Sequence, residues 1–150
     1  MAAEILDGKA IAAAVLEETA VEVETFAAGF RPPRLTVVIV GDDPASRSYV
    51  RGKTKSAAAC GIDSDLVELP AETGAEELLE IVDRLNADAD IDGILVQLPL
   101  PGGIDQQEVI ERIDPRKDVD GFHLWNLGRL VAGQAGFVPC TPLGISEMLL

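Results

Sequence analysis

The chain has 150 residues, 47% of them hydrophobic and only 4% aromatic, with a formal net charge of -14. That length suits one domain able to bury its own core, and the composition is that of a folded globular protein. So strong an acidic excess repels phosphate backbones and anionic lipid, which argues against nucleic acid and membranes as partners.

Asp7 is a candidate helix cap, and Ile11, Val15, Thr19, Val23 and Phe26 recur every third or fourth residue up to Gly29 and the RPPR break. This spacing predicts a long first helix. Glu4 and Asp7 stand where a secretory leader would carry positive charge, and no apolar run approaches the ~20 residues that span a bilayer. A cytoplasmic location is therefore expected.

LTVVIVG, residues 35–41, is an unbroken run of mainly β-branched residues ending in Gly, which predicts a strand buried on both faces, as in a parallel sheet. DDPASRSYVRGKTKSAAACGI then opens with an Asp cap and a first-turn Pro and closes at Gly61, the marks of a helix. A strand over 65–69, a helix over 75–86 and a second buried strand over 91–98 continue the alternation. Such alternation implies right-handed βαβ units and a three-layer α/β domain, its mainly parallel sheet flanked by helices.

A short helix is expected over 106–112, then a Gly-punctuated segment to Gly136, then a last helix from Thr141 or Pro142 to Leu150. Cys60 and Cys140 are the two cysteines, far apart and in no metal-ligand spacing. A reduced compartment without structural zinc follows, with Cys60 a small helix hydrophobe.

Ligands of open parallel sheets gather beyond the carboxyl ends of the strands, which directs attention to GDDPASRSYVRGK, QLPLPGG and KDVDGFH. Ser46, Tyr49 and Lys53 share one helix face, with Tyr49 four residues ahead of Lys53. A phenol against an ammonium near a strand end suits a proton-transfer lysine. The same spacing also suits an exposed Lys whose stem is covered by a Tyr. Arg47, Arg51, Lys53 and Lys55 make up four of the twelve basic side chains; the first two and the last are steering charges or a solvated face.

Gln97 interrupts ILVQLPLP near the end of a strand suited to burial. Its amide needs partners, either a ligand or neighbouring backbone. Pro99 and Pro101 end the strand, since neither can donate to a ladder. KDVDG places two carboxylates before Gly121, where backbone can approach a ligand, although ordinary turn chemistry has the same composition. His123, the only histidine, has no nucleophile or ligand cluster beside it in sequence and is read as structural.

In this order VGDDPASRSYVRGKTKSAAACGI, DGILVQLPLP, RKDVDGFH and FVPCTPLGI resemble the signature segments of the methylenetetrahydrofolate dehydrogenase/cyclohydrolase family. The resemblance implies a bifunctional enzyme of folate one-carbon metabolism, with a place in purine biosynthesis. It would oxidise 5,10-methylenetetrahydrofolate with NADP and hydrolyse the methenyl product to 10-formyltetrahydrofolate in the same cleft.

Carried over by position, the resemblance makes Lys53 the catalytic lysine and Tyr49 the tyrosine that stacks on the folate rings against it. Gln97 becomes the glutamine beside the lysine, and Asp120 the carboxylate that accepts from the N–H-rich pterin edge. Val96, Leu98 and Pro99 join these four along the substrate. Two departures from the family pattern, GGI after LPLP and Leu124 after DGFH, touch loops.

The resemblance places an NADP-binding Rossmann unit beyond residue 150. No G-x-G-x-x-G pattern occurs in the chain, so no residue here is assigned to the cofactor. Residues 1–150 are accordingly read as the catalytic domain of a longer homodimeric enzyme, with 140–150 leading toward the second unit. Alone, the chain is expected to be monomeric or weakly associated and at most a cyclohydrolase. Two other readings stand beside this one. One is a folate-binding fragment without turnover. The other is a pseudo-receiver interaction module, since VVIVGDDP and LPLPG also look like a phosphoacceptor receiver, with Gln97 where that family carries its phosphorylated Asp.

Overall fold

The computed structural model describes residues 5–149; Glu4 of the leader argument and Leu150 of the last helix lie outside the described residues. β1 (Arg34–Val40) is the middle strand of a three-stranded parallel sheet, flanked by β2 (Asp63–Leu69) and β3 (Gly93–Val96). Its register sets Val38 beside Val67 on one edge and Val96 on the other.

Successive side chains of a strand point to opposite faces, and here both faces are apolar. Val38 and Val40 pack with Leu78 and Val82 of α3 (Ala75–Ala87) and Val109 of α4 (Gln106–Arg112). Val37 and Ile39 turn the other way, together with Leu95 of β3, onto Val50 of α2 (Pro44–Ala59). Helices therefore cover both faces, giving the expected three layers, and the unbroken run of β1 reflects burial on two sides.

The helix starts follow the caps read from the sequence. The Asp7 carboxylate accepts from the Lys9 and Ala10 amides to open α1 (Gly8–Ala27), and the Asp43 carboxylate accepts from the Ser46 amide at 2.7 Å to open α2. α1 leans on α2, where the Cys60 thiol donates to the Leu16 carbonyl at 3.4 Å. Only Val23 of α1 is buried, while Val15 and Phe26 of the same periodic set are about half exposed.

Three expected stretches differ from the observed elements. The second buried strand covers only Gly93–Val96 instead of 91–98. At its start Asp92 is occupied as an ion-pair partner, its Oδ2 taking the Arg31 guanidinium at 2.5 Å and the Arg34 amide at 2.8 Å. At its end the Gln97 amide still donates to the Val38 carbonyl, but Pro99, after a cis bond, leaves the ladder. The Gly-punctuated segment to Gly136, for which no helix is expected from sequence, contains helix α5 (Leu124–Val131), capped by the His123 imidazole, whose Nδ1 accepts from the Trp125 amide at 3.0 Å. Gly128 inside this helix, at a cost of about 1 kcal/mol relative to Ala, is what disguised it. The last helix, α6 (Cys140–Leu149), begins one residue before the expected start.

Candidate active site

Beyond the carboxyl ends of β1 and β3, four segments meet: the first turns of α2, residues 97–99, the loop 118–123 and the start of α6. They enclose a cleft of about 440 Å³, within the roughly 300–1,000 Å³ range of small-molecule sites.

One wall comes from α2. Its Asp cap and Pro44 start the helix at the mouth of β1, and the buried Ser46 and Val50 fix its rotation. That rotation turns Ser46, Tyr49 and Lys53 toward the cleft together, as their spacing requires. Tyr49 is 68% exposed, and its ring offers a flat apolar face at the rim.

The opposite wall is built by residues 97–99. The Gln97 side chain is half buried, and its Nε2 donates to the Leu98 carbonyl at 2.6 Å. This leaves Oε1 facing α2, where the Lys53 ammonium donates to it at 3.2 Å. Neighbouring backbone therefore satisfies one end of the amide, as one of the two readings expects, and Lys53 satisfies the other. Among the described residues Lys53 forms no ion pair, so its ammonium faces a neutral acceptor and the cleft. Leu98 and Pro99 line the same wall. Val96 does not, because its side chain packs in the core with Val38, Leu78 and Ile94.

Asp120 reaches the cleft from the loop. Burial pushes its carboxyl above the ordinary aspartate value, the Lys53 ammonium pulls it back, and the Asp118 carboxylate pushes it up again. The loop itself is anchored at several points. Lys117 Nζ donates to the Leu85, Asn86 and Asp88 carbonyls at the end of α3, and the Lys117 carbonyl accepts from the Ile94 amide at 2.7 Å. Gly121 adopts φ +70, and a Cβ there would stand 2.8 Å from the Val138 carbonyl carbon and 2.9 Å from Pro139 N. Its lack of a side chain lets the 137–139 segment pass close and deliver Cys140 to the cleft.

Asp43, Phe122, Cys140 and Thr141 also line the cleft, although sequence reasoning assigned them no role in it. Burial, followed by the Asp120 charge, pushes the Cys140 thiol up, so it is a contact surface more than a nucleophile. The cations near Lys53 divide. Arg47 is held by Asp42 and, at 2.5 Å, by Glu68, whereas Arg51 and Lys55 are exposed. Among the described residues no cluster suits a metal ion, and no helix is long and apolar enough to cross a membrane.

Comparison with known proteins meets this geometry. The family model for the tetrahydrofolate dehydrogenase/cyclohydrolase catalytic domain matches residues 6–120. Proteins called bifunctional protein FolD are similar over nearly the whole chain. The one from Salinibacter ruber is 52% identical over 98% of this chain and 50% of its own length, and that from Erythrobacter litoralis is 55% identical over 99% and 50%. The chain thus spans about half the length of these curated relatives.

Among solved structures, FolD methylenetetrahydrofolate dehydrogenase/cyclohydrolase from Campylobacter jejuni superposes with a TM-score of 0.95 at 43% identity, covering 99% of this chain and 53% of that one. The Trypanosoma brucei dehydrogenase-cyclohydrolase, solved with NADP cofactor and an inhibitor, gives 0.92 at 39% identity, covering 98% and 51%. These matches set aside the receiver alternative. The chain belongs to the tetrahydrofolate dehydrogenase/cyclohydrolase family and corresponds to its catalytic domain.

Proposed function

We propose that this chain binds reduced folates in the cleft between α2 and residues 97–99 and hydrolyses 5,10-methenyltetrahydrofolate there to 10-formyltetrahydrofolate. The observation that carries this reading is the Lys53–Gln97 contact of 3.2 Å in a cleft also lined by Tyr49 and Asp120.

The chemistry asks little of a nucleophile. The bridging methenyl carbon shares positive charge with its two nitrogens, so a positioned water can add to it. Lys53 and Gln97 supply the donor and acceptor that place this water and relay its proton. The adduct's hydroxyl then gives up its proton as the bond from that carbon to the pterin ring nitrogen breaks, leaving the formyl group on the other nitrogen; of water's two protons one ends on the ring nitrogen and the other leaves to solvent, which accounts for the charge of the methenyl cation. Tyr49 presents a rim surface for the fused rings. The Asp120 carboxylate accepts from the pterin amino group and ring N–H, while Leu98 and Pro99 exclude water along the other side. Val96 contributes only from the core, by holding the strand beneath Gln97.

Oxidation of 5,10-methylenetetrahydrofolate with NADP is proposed for the longer protein. The residues present do not fit a dinucleotide: no G-x-G-x-x-G loop occurs among them. A cytoplasmic setting and a homodimer of the longer protein belong to the same reading; the free thiols of Cys60 and Cys140 support the former.

Calorimetric titration of the chain with tetrahydrofolate tests the assignment. Binding is expected, weakened on the order of 10-fold by Tyr49→Ala and by Asp120→Ala. No binding by the unaltered chain, or unchanged binding in both variants, would contradict it.

A further inference from the structure

Asp118 is a buried carboxylate that the proposed chemistry does not use. Its side chain is 2% exposed, and among the described residues it forms no ion pair. Burying a charge without a cation is costly unless hydrogen bonds surround it. Here three N–H groups do so: Oδ1 accepts from the Gly121 amide at 3.1 Å, and Oδ2 from the His123 amide and Asn126 Nδ2, both at 2.9 Å. Asn126 is itself 3% exposed and donates also to the Pro115 carbonyl at 2.9 Å.

The consequence is geometric. Asp118 pairs with Ile94 of β3 as a lone parallel bridge, so its backbone is fixed to the sheet while its carboxylate fixes the amides of Gly121 and His123. Only Val119 and Asp120 lie between these anchors. Val119 is directed onto the sheet, where a Cβ on Gly93 would stand 2.6 Å from its Cγ1. In the turn that follows, closed by the Gly121 amide donating to the Asp118 carbonyl at 3.3 Å, Asp120 lines the cleft.

We propose that Asp118 is a positioning residue for substrate recognition: with Asn126, it locks the 118–123 turn so that the Asp120 carboxylate faces the pterin edge. The proposal rests on the reading of Asp120 given above. A carboxylate is required because two oxygens must serve three donors. An amide at this position has a single acceptor and would point its own N–H₂ at one of those donors.

A double-mutant cycle on tetrahydrofolate affinity separates this role from scaffolding, because a residue acting through Asp120 loses its effect once Asp120 is gone. Asp118→Asn is expected to weaken binding on the order of 10-fold in the native background, and less than about 2-fold in the Asp120→Ala background. Asn126→Ala, which removes one donor and leaves the backbone anchors, is expected to follow the same pattern with a smaller first step. It replaces Asp118→Asn in the cycle if that variant does not fold by circular dichroism. Equal losses in both backgrounds would overturn the proposal and leave Asp118 a scaffold residue, with the reading of Asp120 intact. Unchanged affinity in Asp120→Ala alone would overturn that reading, and this proposal with it.

Discussion

Gln97 is oriented by its own neighbour: its Nε2 donates to the Leu98 carbonyl at 2.6 Å, which turns Oε1 toward Lys53 Nζ 3.2 Å away. A neutral amide so fixed accepts from the ammonium without tying up its charge, and it keeps the Lys53 side chain aimed along the cleft.

Replacing Gln97 by Leu keeps the volume of the wall and removes that acceptor. Hydrolysis of 5,10-methenyltetrahydrofolate is expected to fall about 100-fold, the usual scale for a misplaced proton-transfer group. Because Gln97 is only half buried, stability in urea is expected to change by less than about 1 kcal/mol. A variant with full activity would remove Gln97 from the mechanism.

In the proposed mode of binding Asp120 accepts from the pterin edge only as a carboxylate, and burial holds its carboxyl above the ordinary value of 3.8. Tetrahydrofolate affinity is therefore expected to rise with pH through a midpoint above that value. Lys53 pulls the carboxyl down, so in Lys53→Met the midpoint is expected to move to higher pH. Affinity measured across the acid range in both proteins checks the sign, and a midpoint that stays fixed or falls in the variant speaks against proximity of the two charges.

Gly121→Ala places a methyl group 2.8 Å from the Val138 carbonyl carbon at a residue with φ +70. Both the clash and the backbone strain act in the folded state, with an expected loss of about 2 kcal/mol. The 137–140 segment must also withdraw, so folate affinity is expected to fall with stability. Retained stability in a urea titration would show that the segment yields more easily than this close contact indicates.

The Arg116 side chain, together with its backbone amide, holds the Asp114 carboxyl down to about 2. A carboxyl depressed on folding contributes stability fully above its unfolded value, near 3.9. That contribution is lost as pH falls from there through about 2. Arg116 is 87% exposed, so screening limits the effect to roughly 1 kcal/mol. Asp114→Ala is expected to flatten that part of the acid-unfolding curve, and an unchanged curve would show that the pair contributes nothing.

The layers of this fold were legible because two-sided burial leaves a plain mark: the run from Leu35 to Val40 has no polar residue except Thr36, itself buried. The face of Ser46, Tyr49 and Lys53 was equally readable, since helical spacing alone brings them together. Less was visible in the loop after α4. Asp118 and Asp120 stand two residues apart in the same motif, yet one is buried beneath Asn126 and the other lines the cleft. Spacing does not separate them; the bridge to Ile94 does. α5 was hidden by Gly128 and by an unusual His cap, and Val96 by the fact that a resemblance transfers positions along a chain without the direction in which each side chain points.

The account stands or falls on Lys53. Loss of the near-ultraviolet absorbance of 5,10-methenyltetrahydrofolate, followed with the purified chain, with Lys53→Met and with buffer alone, measures its contribution directly. The expected result is hydrolysis faster than buffer with the chain and at the buffer rate with Lys53→Met. Equal rates for the chain and the variant, whether both fast or both at the buffer rate, would contradict the claim that this cleft carries out Lys53-dependent hydrolysis.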